Sequence, residues 1–161
     1  SDTLSELIYL YISIAFSAPL LVGIVAPLIS PIIEKLEEQK SDKFNQLRKK
    51  VKDLSKAESI KEYEEVKEEQ EKAEEEYEAV KNKSKYLTGS IVLGMFSTLL
   101  SMAGVGMLFG IISGESTPMQ TAAASNLYLS ITLIAFSLEV LLVLGMVYYY
   151  VVSKQKESPK M

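Results

Sequence analysis

One carboxylate stands where a charge is expensive. Glu139 interrupts an otherwise uncharged run from about Leu127 to Val152, roughly twelve positions from either end. A charge at the middle of a membrane-spanning helix costs on the order of 3 kcal/mol on insertion scales, so such residues face protein or water and often mark function. At 100° per residue, Ser125, Thr132 and Met146 share its stripe, each a multiple of seven away, and form a weakly polar track toward it. The apolar runs contain neither Lys nor Arg. The carboxyl is therefore expected to be protonated, or hydrogen-bonded to hydroxyls of neighbouring runs such as Ser13, Ser17, Ser97 or Ser101. Two roles stay open for it: an interhelical hydrogen bond that only fixes packing, and a functional carboxylate.

Other chemistry is poorly supplied. The chain has no His and no Cys, which removes the commonest general base, disulfides and thiolate metal sites. It has no phosphate-binding Gly loop, no metal-spaced ligand cluster and no Ser/His/Asp set. The expectation is a protein that is not an enzyme, with no catalytic residue, cofactor or metal. The sequon Asn82-Lys83-Ser84 is read as a chance match.

The elements that position Glu139 follow from hydropathy. Of the 161 residues 48% are hydrophobic and 24% charged, and the two kinds are segregated. Between Glu6 and Glu34 no charge occurs, and the run exceeds the roughly 20 residues that span a hydrocarbon core. It reads as a first transmembrane helix, not as a secretory signal, because the preceding SDTLSE is acidic and the apolar run is too long. Pro19, Pro27 and Pro31 predict kinks in its second half. A second span runs from Tyr86 to Ile112, where Ser90, Gly94, Ser97, Ser101 and Gly104 keep steps of three and four. That stripe is either a close-packing face or a polar groove for a passing substrate. Met95, Met102 and Met107 add flexible apolar surface. After a turn region, SGESTPMQTAAAS, comes the third span with Glu139, closed by Tyr148, Tyr149 and Tyr150 as interfacial anchors and by Lys154, Lys156 and Lys160.

Residues 34–85 are strongly charged, with both signs mixed and a net charge of −4 for the whole chain, so no sequence-specific nucleic-acid surface is indicated. Phe44, Leu47, Val51 and Leu54, then Val66, Gln70, Ala73, Tyr77 and Val80, keep the rhythm of a helical seam. The phase slips in SKAESIKE, where Ser59 and Glu62 have capping-box spacing. Two arms of roughly 33 Å follow, from about 22 residues at 1.5 Å each. The reading is an all-α membrane protein: residues 1–33 hold an outer N-terminus and first span, 34–85 a cytoplasmic antiparallel coiled-coil hairpin, and 86–161 the second and third spans with a basic tail. Lys and Arg lie only in the hairpin and tail. The positive-inside rule then puts the N-terminus outside and the hairpin and C-terminus in the cytoplasm of a multi-pass cell-membrane protein.

This layout resembles the archaeal YidC-like proteins, relatives of the insertase subunit of the ER membrane complex and of the tail-anchored-protein receptor. The resemblance runs from PLLVGIVAPLISPIIEKLEEQK, through the acid/base arms, to KNKSKYLTGSIVLGMF, about two thirds of the chain. It implies an insertase with chaperone-like activity in protein transport, which helps short polar segments of client proteins enter the bilayer. Its partners would be lipid, client membrane proteins and, through the hairpin, the ribosome. Relatives often carry a basic residue in a hydrophilic groove. Here the groove would have to be lined by hydroxyls and Glu139, and its candidate residues are Glu139, Thr132, Ser97, Ser101, Met95 and Met102. Two other classes stay open: an oligomeric membrane scaffold, viral or pore-forming, that self-associates into a homo-oligomer, and a proton or ion conductor that uses Glu139.

Overall fold

The structure, a computed structural model, describes residues 2–54 and 60–157. Every element among them is helical: α1 (Asp2–Leu54), α2 (Ile60–Ile112), α3 (Pro118–Ala122) and α4 (Asn126–Glu157). Three of these helices are long and apolar enough to cross a membrane. The fold is therefore all-α and of the multi-pass membrane kind. The expected capping box at Ser59 lies outside the described residues.

Spans and charged arms are not separate helices. α1 and α2 are each one uninterrupted helix of 53 residues. The junctions at Glu34 and Tyr86 change polarity without changing backbone preference, because Leu, Ile, Glu and Lys are all compatible with a helix interior. α1 also continues through Pro19, Pro27 and Pro31. Proline has no N–H, so Pro19 and Pro27 leave the carbonyls of Ala15 and Gly23 without their α-helical donors.

The turn region is more ordered than its composition suggests. α2 ends in a Schellman cap: Gly114 takes a φ of +98°, its N–H donates to the Ile111 carbonyl at 3.0 Å, and the Glu115 N–H donates to the Gly110 carbonyl at 2.9 Å. Thr117 then caps α3 in a reciprocal box with Gln120, with Pro118 in the first turn. Gln120 Nε2 also donates to Glu115 Oε2 at 2.8 Å.

The chain divides into two compact units. One comprises residues 1–27 and 86–148, the other residues 28–85 and 149–161. In the first, Ile8, Tyr11, Leu108 and Ala123 form a buried cluster, flanked by Leu7, Val105, Tyr128 and Leu129. The Tyr11 ring lies against Gly104, where a Cβ would come within 3.1 Å of it, and meets Tyr128 edge to face at 5.8 Å. Both phenols are satisfied by backbone: Tyr11 donates to the Ala123 carbonyl at 2.9 Å and Tyr128 to that of Leu100. Two aromatic residues thus tie α1, α2 and α4 to the loop before α4.

In the second unit the charged stretches of α1 and α2 meet. Ile29, Ile33 and Leu36 are buried on α1, and Val66, Ala73 and Val80 on α2. Phe44 stacks on Tyr77 at 6.4 Å between ring centroids. Lys40 and Lys43 reach Glu76 at 3.2 and 3.9 Å. Leu47 and Ala73 line one cleft together with Lys50 and Glu69. The end of α4 joins this unit, and its tyrosines do not act alike. Tyr148, in the first unit, is exposed as an interfacial anchor would be, whereas Tyr150 is fully buried and donates to the Val80 carbonyl at 3.1 Å. Two helical steps rotate the side chain by about 200°, enough to turn an expected anchor into a helix tie.

Candidate functional site: a buried carboxylate at a three-helix junction

On α4, Thr132, Ala135, Glu139, Val143 and Met146 are all buried, at steps of three and four that make one helix face. On α2 the buried face carries Ser90, Gly94, Ser97, Ser101, Gly104 and Leu108. Glu139 is wholly inaccessible. Its carboxyl rests on the backbone of α2 at Gly94, where a Cβ would lie 2.6 Å from Oε2 and 3.1 Å from Cδ. Val22 of α1 approaches the same point, with Cγ2 3.4 Å from that Cβ position. A Cβ here would have to push the carboxyl aside, so Gly94 is the seat of the carboxyl as it stands.

The hydroxyls expected to bond Glu139 do not. Ser13 and Ser17 are exposed. Ser97 donates to the Leu93 carbonyl at 2.8 Å and Ser101 to that of Ser97 at 2.7 Å. Ser90 donates to the Leu87 carbonyl and Thr132 to that of Tyr128. A Ser or Thr inside a helix has the carbonyl three or four residues back within reach, and this local bond outcompetes a partner on another helix. Both oxygens of Glu139 are left buried with no hydrogen-bond partner among the described residues. Ser125, at the start of the track, accepts the Tyr128 N–H at 3.2 Å and so caps α4.

The six candidate residues fall into two sets. Glu139, Thr132, Ser97 and Ser101 lie on buried faces. Met95 and Met102 are 63% and 60% exposed and line two open apolar grooves between α1 and α2. The first, of about 380 Å³, is bounded by Ala18, Val22, Gly23, Gly94, Met95 and Thr98 among others. The second, of about 330 Å³, is bounded by Ile12, Ala15, Phe16, Met102 and Val105. Gly94 and Val22 belong both to the first groove and to the surroundings of the Glu139 carboxyl.

Sequence reasoning included Gly94 in a packing stripe but missed its pairing with Glu139. Periodicity shows which residues share a helix face, not which face of another helix they meet. No group of three or more His, Cys, Asp or Glu suited to a metal ion occurs among the described residues. No protein-family model, curated protein or solved structure matches the chain.

Proposed function

We propose that this chain is an insertase-like membrane protein that helps short polar segments of client proteins enter the bilayer. The observation that carries the reading is the Glu139 carboxyl, buried without a hydrogen-bond partner behind the glycine wall of an apolar groove. A buried polar group without a partner costs about 1 to 3 kcal/mol, and a purely structural role would be filled better by Leu. Insertion of this kind involves no covalent chemistry. It lowers the cost of moving a polar segment through lipid by supplying hydrogen-bonding groups at depth beside an apolar surface. The groove receives the client's apolar flank, and the carboxyl receives its polar part once the wall at Gly94 and Val22 parts.

In this reading the N-terminus is outside, and the charged arms of α1 and α2 pair as an antiparallel coiled-coil hairpin in the cytoplasm. The hairpin brings the ribosome or the client to the membrane. The Phe44–Tyr77 stack and the Lys40–Glu76 ion pair support pairing within one chain.

The test is insertion by the full-length protein in reconstituted vesicles, using a client with a short translocated tail. Glu139→Leu is expected to stay folded, since the span becomes more apolar, and to lower insertion by about tenfold. Undiminished insertion by this variant, or none by the unaltered protein supplied with ribosomes and client, removes the reading. The same buried carboxyl also suits a proton or cation conductor, whose signature is flux without client that disappears in Glu139→Gln.

A further inference from the structure

The membrane-crossing segments carry hydrogen-bond acceptors in excess of donors. Among the described residues the four buried Ser and Thr hydroxyls, Ser90, Ser97, Ser101 and Thr132, donate to carbonyls of their own helices. Thr98, on the wall of the larger groove, donates to the Gly94 carbonyl at 2.7 Å. Tyr11 and Tyr128 donate to backbone as well. Against these stand both oxygens of Glu139, with no partner. No Lys or Arg occurs between Glu6 and Glu34, from Tyr86 to Ile112, or from Leu127 to Val152.

We infer that the guest received at Glu139 is cationic: a short client segment bearing a lysine or arginine, whose N–H groups meet the carboxyl while its apolar flank lies in the groove. This rests on the insertase-like reading and adds the substrate class to it. The physical reason is complementarity. A buried carboxyl that is neutral while it has no partner gives up its proton most readily to face a group that supplies both positive charge and donors. An acidic tail offers neither the positive charge nor the donors that would stabilise the ionised carboxyl, and two ionised carboxylates would repel in a medium of low dielectric. Gly94 eases the approach, because of the two wall residues Gly94 and Val22 it has no side chain to displace.

The experiment uses full-length protein in vesicles and three clients that differ at one tail position, which is Lys, Gln or Glu. The unaltered protein is expected to insert the Lys tail at least about tenfold better than the Glu tail. That ratio is expected to fall toward one in Glu139→Gln, and a zero-length carbodiimide reagent is expected to couple the Lys tail to Glu139. Equal insertion of Lys and Glu tails overturns the inference and leaves the insertase reading standing. Insertion of no tail overturns both. A Lys preference that persists in Glu139→Gln overturns the assignment to this carboxyl. Flux of sodium, potassium or protons that depends on Glu139 without client would give the site to a free cation and overturn the assignment to a client segment.

Discussion

Two glycines of α2 show how much the neighbour matters at the scale of one residue. A Cβ at Gly104 would meet three atoms of the Tyr11 ring at 3.1 to 3.3 Å. That ring is fully buried and held by its hydrogen bond to Ala123, so it has nowhere to go. A Cβ at Gly94 would come closer still, 2.6 Å from Glu139 Oε2, yet that atom is the end of a flexible side chain. Gly104→Ala is therefore expected to destabilise by about 1 to 3 kcal/mol, the usual cost of overpacking. Gly94→Ala is expected to change stability by less than about 1 kcal/mol, since the gain in helix propensity offsets part of the strain. Thermal unfolding of the detergent-solubilised protein checks both. In a double-mutant cycle, Gly94→Ala and Glu139→Ala should couple by about 1 kcal/mol, because removing the carboxyl relieves the clash. Additive effects would mean that the carboxyl does not rest on Gly94.

At the scale of elements, α2 joins unlike surroundings with one periodicity. Val66, Ala73, Val80, Gly94, Ser101 and Leu108 are all buried, and each is a multiple of seven residues from Val66. Such spacing keeps one stripe of a helix in contact along its length. The small side chain of Ala73 lets the arms of α1 and α2 approach, while Phe44 and Tyr77 fill the adjacent layer. Ala73→Asp would set a charged side chain into the buried seam and is expected to cost about 2 kcal/mol. Hydrogen exchange in nanodiscs should then accelerate in residues 40–50 and 70–80, with protection around Tyr11 and Leu108 retained. Acceleration that depends on protein concentration would show that the arms pair between chains.

At the scale of the whole molecule, the first unit leaves many large apolar side chains outside while it buries its small hydroxyls and Glu139. Phe16, Leu99 and Leu141 are more than 60% exposed, while Ser97, Ser101, Thr132 and Glu139 are buried. Water would penalise such a surface, whereas lipid does not distinguish it from its own tails, and close packing of small residues holds the helices together. The charge asymmetry of the loops then sets the proposed orientation. Cysteines introduced at Ser5 and Ser116, both exposed, are expected to react with an impermeant reagent on intact cells, and one at Lys61 only after lysis. The reverse pattern would invert the topology and put the charged arms outside.

Three apolar helices and the all-α class were legible in the sequence because each is written in composition and in a local repeat. So was the singularity of Glu139, since one charge within an apolar run needs no tertiary context to stand out. Legibility ended where a choice depended on energies between helices. Hydroxyls expected as partners for Glu139, such as Ser97 and Ser101, turn to their own backbone because the local acceptor is always at hand. Tyr150 became a tie to Val80 because rotation about α4 carried it inward. The arms merged with the spans because backbone hydrogen bonding continues across a change of polarity. Only the tertiary structure placed Gly94 beneath the carboxyl, since which helix faces meet is decided by packing of all three at once.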